Sequence, residues 1–387
     1  MNTRVAIVTG ELSGEAHAAH LVRAVNALSP MRFSGMGSQA LSDAGVEVIQ
    51  DYREISITGM SIPLLLSKAG HIRLAFRTLK GHLSTTRPAL LILVDFPGFN
   101  LRLARLARRL AIPVVYFVAP QVWAWHRGRV RQIKANVDLV LSILPFEEPF
   151  FRRFHIPVSY VGHPYAKGVR PVYSKGDFFS AHHVAADSPV ITVMPGSRSD
   201  EARKHMPILM EVLGRLDTEV GRYTALLPVA DTLAGGFFDP FVKERKNLVP
   251  LRGLAHDCLA HSDIALIASG SATLEAAILG VPSLVFYKIS LLEYLAARAI
   301  VKVPYISLPN IIAGKEVFPE FVRSVNPERI AKTAVSMLKN GRSAVQKDLD
   351  EVRNRLSAPS GSDPYQTAAK AILRLLERRY GPVPQTP

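Results

Sequence analysis

Polar side chains that could carry out chemistry follow apolar, strand-like runs at three places in the sequence. The first is Asp95, which comes directly after Leu90–Val94 and precedes Phe96. A carboxylate at the end of a buried strand, beside aromatic rings, is partly desolvated, which raises its pKa and suits it to accept a proton. An aspartate that only caps a turn or a helix would occupy the same position, and the residue pattern leaves both interpretations open.

The other two places have the residue types that bind a diphosphate. Each is a strand-like run, a glycine turn and hydroxyl groups at the start of a helix, where backbone N–H groups bind anions. The loops contain Gly196, Ser197 and Arg198, and then Ser269, Gly270, Ser271, Ala272 and Thr273. Arg198 adds a bidentate cation, and Glu275 could accept hydrogen bonds from a ribose diol. Favourable placement in the helix dipole would also explain Glu275.

Two further loops are candidates for ligand binding. Gly10–Glu15 opens a helix, so that Ser13, Gly14 and Glu15 lie beside unpaired backbone N–H groups. No Gly-Lys-Ser/Thr follows, which excludes a Walker A loop. Pro120–Trp125 contains both tryptophans of the chain and is either packed in the core or a platform for a sugar or an acyl chain.

The elements that must position these residues form a repeating pattern. Short β-branched runs alternate with helical patterns, which is typical of parallel βαβ units. Strands are predicted over Val5–Thr9, Leu90–Val94, Val114–Val118, Leu139–Ile143, Ser159–Val161, Val190–Met194, Tyr223–Pro228, Ile264–Ala268 and Ser283–Tyr287. We therefore predict an α/β fold with two Rossmann-like, doubly wound domains facing across a cleft. Their bounds are 1–165 and 189–345, with a linker over 166–188 and C-terminal helices over 346–387.

Composition narrows the class of partner. The 47 Lys and Arg residues against 32 Asp and Glu residues give a net charge of +15, which favours an anionic partner. Nucleic acid is disfavoured, because there is no zinc-finger spacing, RNP motif or basic tail. One group of arginines fits a solvated helix face: Arg102, Arg105, Arg108 and Arg109. No histidine, cysteine or carboxylate spacing matches a metal site, so we expect neither metal nor cofactor.

The expected compartment is the cytoplasm. The single Cys258 excludes an internal disulfide, and Val5–Thr9 is too short for the core of a signal peptide. The longest uncharged stretches fall short of the ~18 residues that a membrane-spanning helix needs.

Several short motifs follow one another in a characteristic order: Gly10–Glu15, LVDFPGFN, PQVWAW, LPFE, VGHP, PGSR, SGSATLE and SLPNIIAG. Together they resemble the lipid-A-disaccharide synthases, inverting glycosyltransferases of the GT-B fold. The resemblance implies UDP-2,3-diacylglucosamine as donor, 2,3-diacylglucosamine 1-phosphate (lipid X) as acceptor, and no metal. It also implies that Asp95 is the base, that Arg198 neutralises the diphosphate, that Glu275 binds the ribose, and that Asn310 lies near the nucleotide.

Lipid substrates would also account for an apolar stretch, Ile55–Leu66, which is followed by five basic residues: Lys68, His71, Arg73, Arg77 and Lys80. Such a segment suits peripheral docking on the anionic inner face of the cytoplasmic membrane. The membrane contacts would be Ile62, Leu64, Leu65 and Leu66, although an ordinary buried helix has the same pattern. The helical tract Pro327–Tyr380 either folds back on the first domain or packs against a second copy in a homodimer.

Three departures from the family pattern bear on substrate identity. This chain has Glu15 where the family usually has Asp, Gly98 where a second Asp is often present, and Arg323 where a Gln is typical. They leave two alternatives open. One is a divergent GT-B paralogue with another UDP-sugar and acceptor, and the other is a non-catalytic protein that binds a UDP-sugar or a glycolipid. A binding protein has no need of a base, so retention of Asp95 argues against the latter.

Overall fold

The computed structural model describes residues 3–55, 62–123, 128–289, 303–322 and 325–382. The chain forms two compact units, Met1–Pro164 with Leu356–Pro387, and Tyr165–Arg355. Each contains a parallel sheet with helices, so the predicted α/β architecture of two Rossmann-like units is confirmed. No helix in the described part of the chain is long and apolar enough to cross a membrane.

The first sheet contains seven described strands, β1 to β7: Arg4–Val8, Arg32–Gly37, Val46–Asp51, Leu90–Val94, Val114–Phe117, Leu139–Ser142 and Val158–Tyr160. They are parallel and lie in the order β3-β2-β1-β4-β5-β6-β7. The strand order reverses between β1 and β4, where the loops after the two strands diverge and leave a crevice. Asp95 and the loop at Gly10–Glu15 both lie at this switch point.

Seven described α-helices belong to the first unit: α1 (Leu12–Leu28), α2 (Gln39–Ser42), α3 (Ile62–Thr86), α4 (Pro97–Arg109), α5 (Gly128–Asn136), α6 (Glu147–Arg153) and the C-terminal helix (Pro364–Tyr380). The C-terminal helix packs on α1, where Tyr365 hydrogen-bonds His17 Nδ1 at 2.9 Å and stacks on His20. Ala368, Ile372 and Leu376 are buried along the same helix. The last helix of the tract Pro327–Tyr380 therefore folds back on the first unit, whereas its first helix, Pro327–Asn340, belongs to the second.

The second sheet contains six described strands, β8 to β13: Val190–Met194, Thr224–Val229, Leu248–Arg252, Ile264–Ala268, Ser283–Tyr287 and Glu320–Val322. They are parallel in the order β10-β9-β8-β11-β12-β13, so this sheet reverses between β8 and β11. The two diphosphate-type loops follow β8 and β11. They therefore share one switch point, because the carboxyl ends of adjacent parallel strands lie at the same edge.

Helices of the second unit lie at Tyr165–Gly168, Lys175–Ala181, Ser199–Glu219, Asp239–Glu244, Ala255–Ala260, Ala272–Ile278, Leu308–Ala313, Pro327–Asn340 and Ser343–Leu356. The stretch 166–188, interpreted from sequence as a linker, thus carries two of them. Asp257, a buried carboxylate, fixes this stretch by accepting hydrogen bonds from the N–H groups of Val172 and Tyr173 at 2.8 and 2.7 Å. The expected block of helices at 346–387 is divided between the two units.

Candidate functional site

The turn after β4 is held in an unusual backbone conformation. Asp95 and Phe96 both have left-handed φ angles, 47° and 48°, at a cost of about 1–3 kcal/mol each. The Asp95 carbonyl accepts hydrogen bonds from Tyr116 Oη at 2.6 Å and Asn100 Nδ2 at 2.8 Å. These two donors hold the strained turn in place.

Close packing at Gly10 fixes the other side of this turn. A Cβ atom on Gly10 would lie 2.3 Å from the Phe96 ring, so a larger residue there would displace the ring. The two loops at the switch point therefore pass each other only because one of them carries glycine.

Burial changes the electrostatics of Asp95. Desolvation by burial, with a smaller contribution from the nearby Glu11 carboxylate and against a hydrogen bond from the Phe96 N–H, raises the pKa of its carboxyl to about 6. At neutral pH the group is ionised but close to its pKa, which is the condition for efficient general-base catalysis. The side chain of Asp95 is thus suited to take a proton from a hydroxyl group.

Glu15, one of the candidate residues of the loop after β1, is engaged within the protein itself. Its side chain is buried and accepts hydrogen bonds from Ser38 N at 2.6 Å and Leu41 N at 3.2 Å, and Tyr52 also bonds to it. These contacts bind the loop after β2 to α1. Ser13 is exposed at the loop surface, whereas Gly14 is buried.

A cavity of about 420 Å³ lies at the switch point of the second sheet. Its lining includes most of the predicted diphosphate-loop residues and the carboxylate predicted for the ribose: Gly196, Ser197, Ser269, Gly270, Ser271, Ala272 and Glu275. Thr273 does not line the cavity. It is buried, and its hydroxyl stabilises the loop by donating to the Gly270 carbonyl at 2.8 Å.

Glu275 has a partner that the sequence did not indicate. Its Oε2 lies 3.3 Å from Nε2 of His256, which also lines the cavity, and this contact raises the pKa of His256. The Glu275 side chain is 14% exposed, so one face of the carboxylate remains available to a ligand. Nearby, Tyr165 hydrogen-bonds Ser271.

Arg198 does not line the cavity in this structure. It precedes the helix Ser199–Glu219, its side chain is 71% exposed, and its guanidinium pairs with Glu201 at 3.2 Å. Glu201 itself lines the cavity. The Arg198 guanidinium therefore lies beside the predicted diphosphate loop, where it is exposed and pairs only with Glu201 among the described carboxylates.

A buried histidine holds that loop in place. Lys288 N donates to His205 Nε2 at 3.2 Å, so Nδ1 carries the proton and donates to the Pro195 carbonyl at 2.8 Å. Burial lowers the pKa of His205, which keeps the ring neutral. The turn after β8 is thereby tied to the end of β12, a link for which the sequence carries no motif.

Asn310 is fully engaged within the protein. Its Nδ2 donates to the Phe318 carbonyl and to Glu320 Oε1, and its Oδ1 accepts from Val317 N and Phe318 N, all at 2.8 Å. Glu320 also accepts from the N–H groups of Ile306 and Ser307, both at 2.9 Å. The resemblance placed Asn310 near the nucleotide, and the structure shows it organising the segment 306–320.

Glu147 is a further buried carboxyl, and sequence reasoning did not single it out as a functional residue. It accepts hydrogen bonds from Trp123 Nε1 and Leu144 N, each at 3.2 Å, and burial raises its pKa to about 7. Trp123 is buried and packs edge-on against Phe146. Trp123 therefore belongs to the packing of the first unit, while Trp125 lies outside the described residues.

Other predicted positions also fall outside the described structure. The side chains of Ile62, Leu64, Leu65 and Leu66 are not described, and neither is Arg323. Within the described ranges, no group of three or more histidine, cysteine or carboxylate side chains could hold a metal ion.

The chain is similar to a known protein family over almost its whole length. The family model for lipid-A-disaccharide synthetase matches residues 5–372. The lipid-A-disaccharide synthase of Solibacter usitatus is 38% identical over 384 residues, 97% of this chain and 98% of its own. That of Nitrosococcus oceani is 38% identical over 380 residues, 96% of each chain.

Solved structures share the fold at low sequence identity. UDP-GlcNAc 2-epimerase from Neisseria meningitidis, bound to UDP-GlcNAc, has a TM-score of 0.59 at 14% identity and covers 98% of this chain and 100% of its own. The glycotransferase of kitacinnamycin has a TM-score of 0.63 at 15% identity, over 97% and 100%. These similarities establish an α/β fold of the GT-B type.

Proposed function

The chain belongs to the lipid-A-disaccharide synthase family and is a glycosyltransferase of lipid A biosynthesis, and we propose UDP-2,3-diacylglucosamine and lipid X as its substrates. The products are the β-1,6-linked lipid A disaccharide 1-phosphate and UDP. The observation that carries this assignment is the half-buried carboxyl of Asp95, with its pKa raised to about 6, at the family's aspartate position and at a sheet switch point.

In the proposed mechanism, Asp95 acts as the general base. Its carboxylate takes the proton of the acceptor's 6-hydroxyl as that oxygen forms a bond to the anomeric carbon of the donor. The bond from the anomeric carbon to the diphosphate breaks, and its electron pair leaves with UDP. A single displacement inverts the configuration at the anomeric carbon, and it needs no metal when the protein itself neutralises the leaving group.

The first unit, with Asp95, is then the acceptor side, and the second unit binds the donor. The cavity after β8 and β11 takes the UDP moiety, with Glu275 accepting hydrogen bonds from the ribose diol. Backbone N–H groups of the loop at Ser269–Ala272 contact the diphosphate. Arg198 exchanges Glu201 for the diphosphate when the donor binds, because its guanidinium is exposed and only 3.2 Å from that carboxylate.

Both substrates are anionic lipids, and we place the protein at the inner face of the cytoplasmic membrane as a peripheral protein. Helix α3 supports this location. His71, Arg73, Arg77 and Lys80 are exposed along it, and the Leu74 side chain is 58% exposed among them. Each basic residue near an anionic surface contributes about 1 kcal/mol of attraction.

The test is UDP release by purified protein with UDP-2,3-diacylglucosamine, in the presence and absence of lipid X. Release that depends on lipid X, with a disaccharide 1-phosphate detected by mass spectrometry, is the expected result. Donor binding without turnover would favour a binding protein or a different acceptor. Failure to bind the donor would point to a changed sugar specificity, of which Glu15 and Arg323 are the sequence marks.

A further inference from the structure

A groove on the first unit combines an apolar floor with a basic rim. It encloses about 230 Å³ between α3 and α4. Three of the lining side chains are apolar and three are arginines: Ile72, Phe76 and Phe99, and Arg73, Arg77 and Arg102. None of the lining residues is acidic, so the groove is complementary to an apolar ligand that carries negative charge.

The three arginines have no acidic partner among the described residues. No carboxylate in that part of the chain lies within 4.0 Å of Arg73, Arg77 or Arg102, whereas arginines elsewhere, such as Arg152 and Arg245, are paired. All three are exposed. The groove thus carries three guanidinium groups, two from α3 and one from α4, and arginine is the side chain that binds phosphate in bidentate fashion.

The aromatic floor of the groove is connected to the residue next to the proposed base by ring–ring contacts. Phe76 packs edge-on against Phe99, with ring centroids 5.8 Å apart, and Phe99 stacks on Phe96 at 5.7 Å. Phe96 directly follows Asp95. A ligand in the groove therefore contacts Phe99, whose ring packs on the residue next to Asp95.

From these observations we propose that the groove binds the acceptor, with an acyl chain on the Ile72–Phe76–Phe99 floor and the phosphate at the anomeric position against Arg73, Arg77 and Arg102. This proposal rests on the proposed function and adds a place for the acceptor to it. Arg102, which sequence alone assigns to a solvated face, becomes a binding residue. An acylated sugar phosphate satisfies both parts of the groove, whereas a free phosphate would leave the floor exposed.

The experiment compares Arg77→Gln/Arg102→Gln with Arg105→Gln/Arg109→Gln, which removes the same charge from exposed positions of α4 outside the groove. Activity is measured in neutral detergent micelles, where attraction to an anionic membrane is absent. We expect the groove variant to raise KM for lipid X about 10- to 100-fold, since each charge-assisted contact contributes several-fold. The kcat value and KM for the donor should stay within about twofold, and the control pair should resemble wild type.

A phosphate-free acceptor, the methyl glycoside of 2,3-diacylglucosamine, separates charge recognition from general damage. The groove variant and wild type should have the same KM for it. An equal rise in KM with both acceptors, an equal effect in the control pair, or a rise in KM for the donor would each overturn the proposal. Ile72→Ser should weaken acceptors with long acyl chains more than short ones, and equal losses would overturn the acyl assignment.

Failure of the proposed function is visible separately, because wild type would then release no UDP in response to lipid X. In that event, equilibrium binding of lipid X in the same micelles tests the groove directly. Tighter binding by wild type than by Arg77→Gln/Arg102→Gln would support the site. Equal binding would overturn it.

Discussion

Replacing Asp95 by Asn should abolish turnover and, at the same time, make the protein more stable above pH 6. In the folded protein burial raises the pKa of Asp95 to about 6, compared with 3.8 in an unfolded chain. At 1.36 kcal/mol per pKa unit, the ionised carboxyl costs the folded state about 3 kcal/mol, and a neutral amide removes that cost. Asparagine also tolerates the left-handed φ of 47° better than most residues.

The sign of the pH dependence follows from the same values. Between pH 3.8 and 6 the unfolded chain releases its proton first, so wild type loses stability as pH rises through this window. The variant lacks this contribution. The difference between the two proteins should therefore be near zero at pH 3.5 and reach its full size above pH 6.

Thermal unfolding of both proteins at a series of pH values measures the effect. In a unit of this size, 3 kcal/mol corresponds to roughly 5–10 °C in the midpoint. Asp43→Asn, at an exposed site of the same unit where Gln39 bonds to the carboxylate, is the control and should change stability by no more than about 0.5 kcal/mol. A variant that is equally or less stable than wild type at pH 8, relative to pH 3.5, would refute the reasoning.

Three other outcomes are expected. The acid limb of kcat/KM should lie near pH 6, and Glu11→Gln should move it to lower pH by removing a neighbouring negative charge; a limb that stays in place contradicts the assignment. Arg198→Ala should weaken UDP binding by about 1 kcal/mol, measured by calorimetry, because the guanidinium is exposed and screened by water; no loss would remove it from the site. Asn310→Ala should lower the free energy of unfolding in urea by at least about 3 kcal/mol, since buried groups of the segment 306–320 lose their partners; a smaller loss accompanied by weak UDP binding would return Asn310 to the nucleotide site.

The central strands could be predicted from sequence because they are buried on both faces. Leu90–Val94 and Ile264–Ala268 are covered by helices on each side of a parallel sheet and read as unbroken apolar runs. The edge strands Val46–Asp51, Leu248–Arg252 and Glu320–Val322 were missed. Each buries only part of its residues, and Leu248–Arg252 contains Pro250, so none of them has the unbroken apolar run that reveals a strand.

The loops of the candidate site were predictable, but the partners of their side chains were not. A glycine turn after a strand is visible in sequence, and so the cavity beside Ser269–Ala272 was anticipated. The burial of Glu15 could not be anticipated, because a carboxylate that bonds within the protein and one that contacts a ligand occupy the same position in the sequence motif. His205 is buried and Glu320 is half-buried, and only the fold brings their hydrogen-bond partners to them.

The return of the chain to its first unit has a consequence for synthesis. The seven-stranded sheet is translated first, yet the helix Pro364–Tyr380 that covers α1 emerges from the ribosome only after the whole second unit. Until then the face of α1 around His17 and His20 lacks its cover. Synthesis of the first unit therefore starts first but is completed last. A chain that stops near residue 355 would contain the whole second unit but would lack the C-terminal helix of the first.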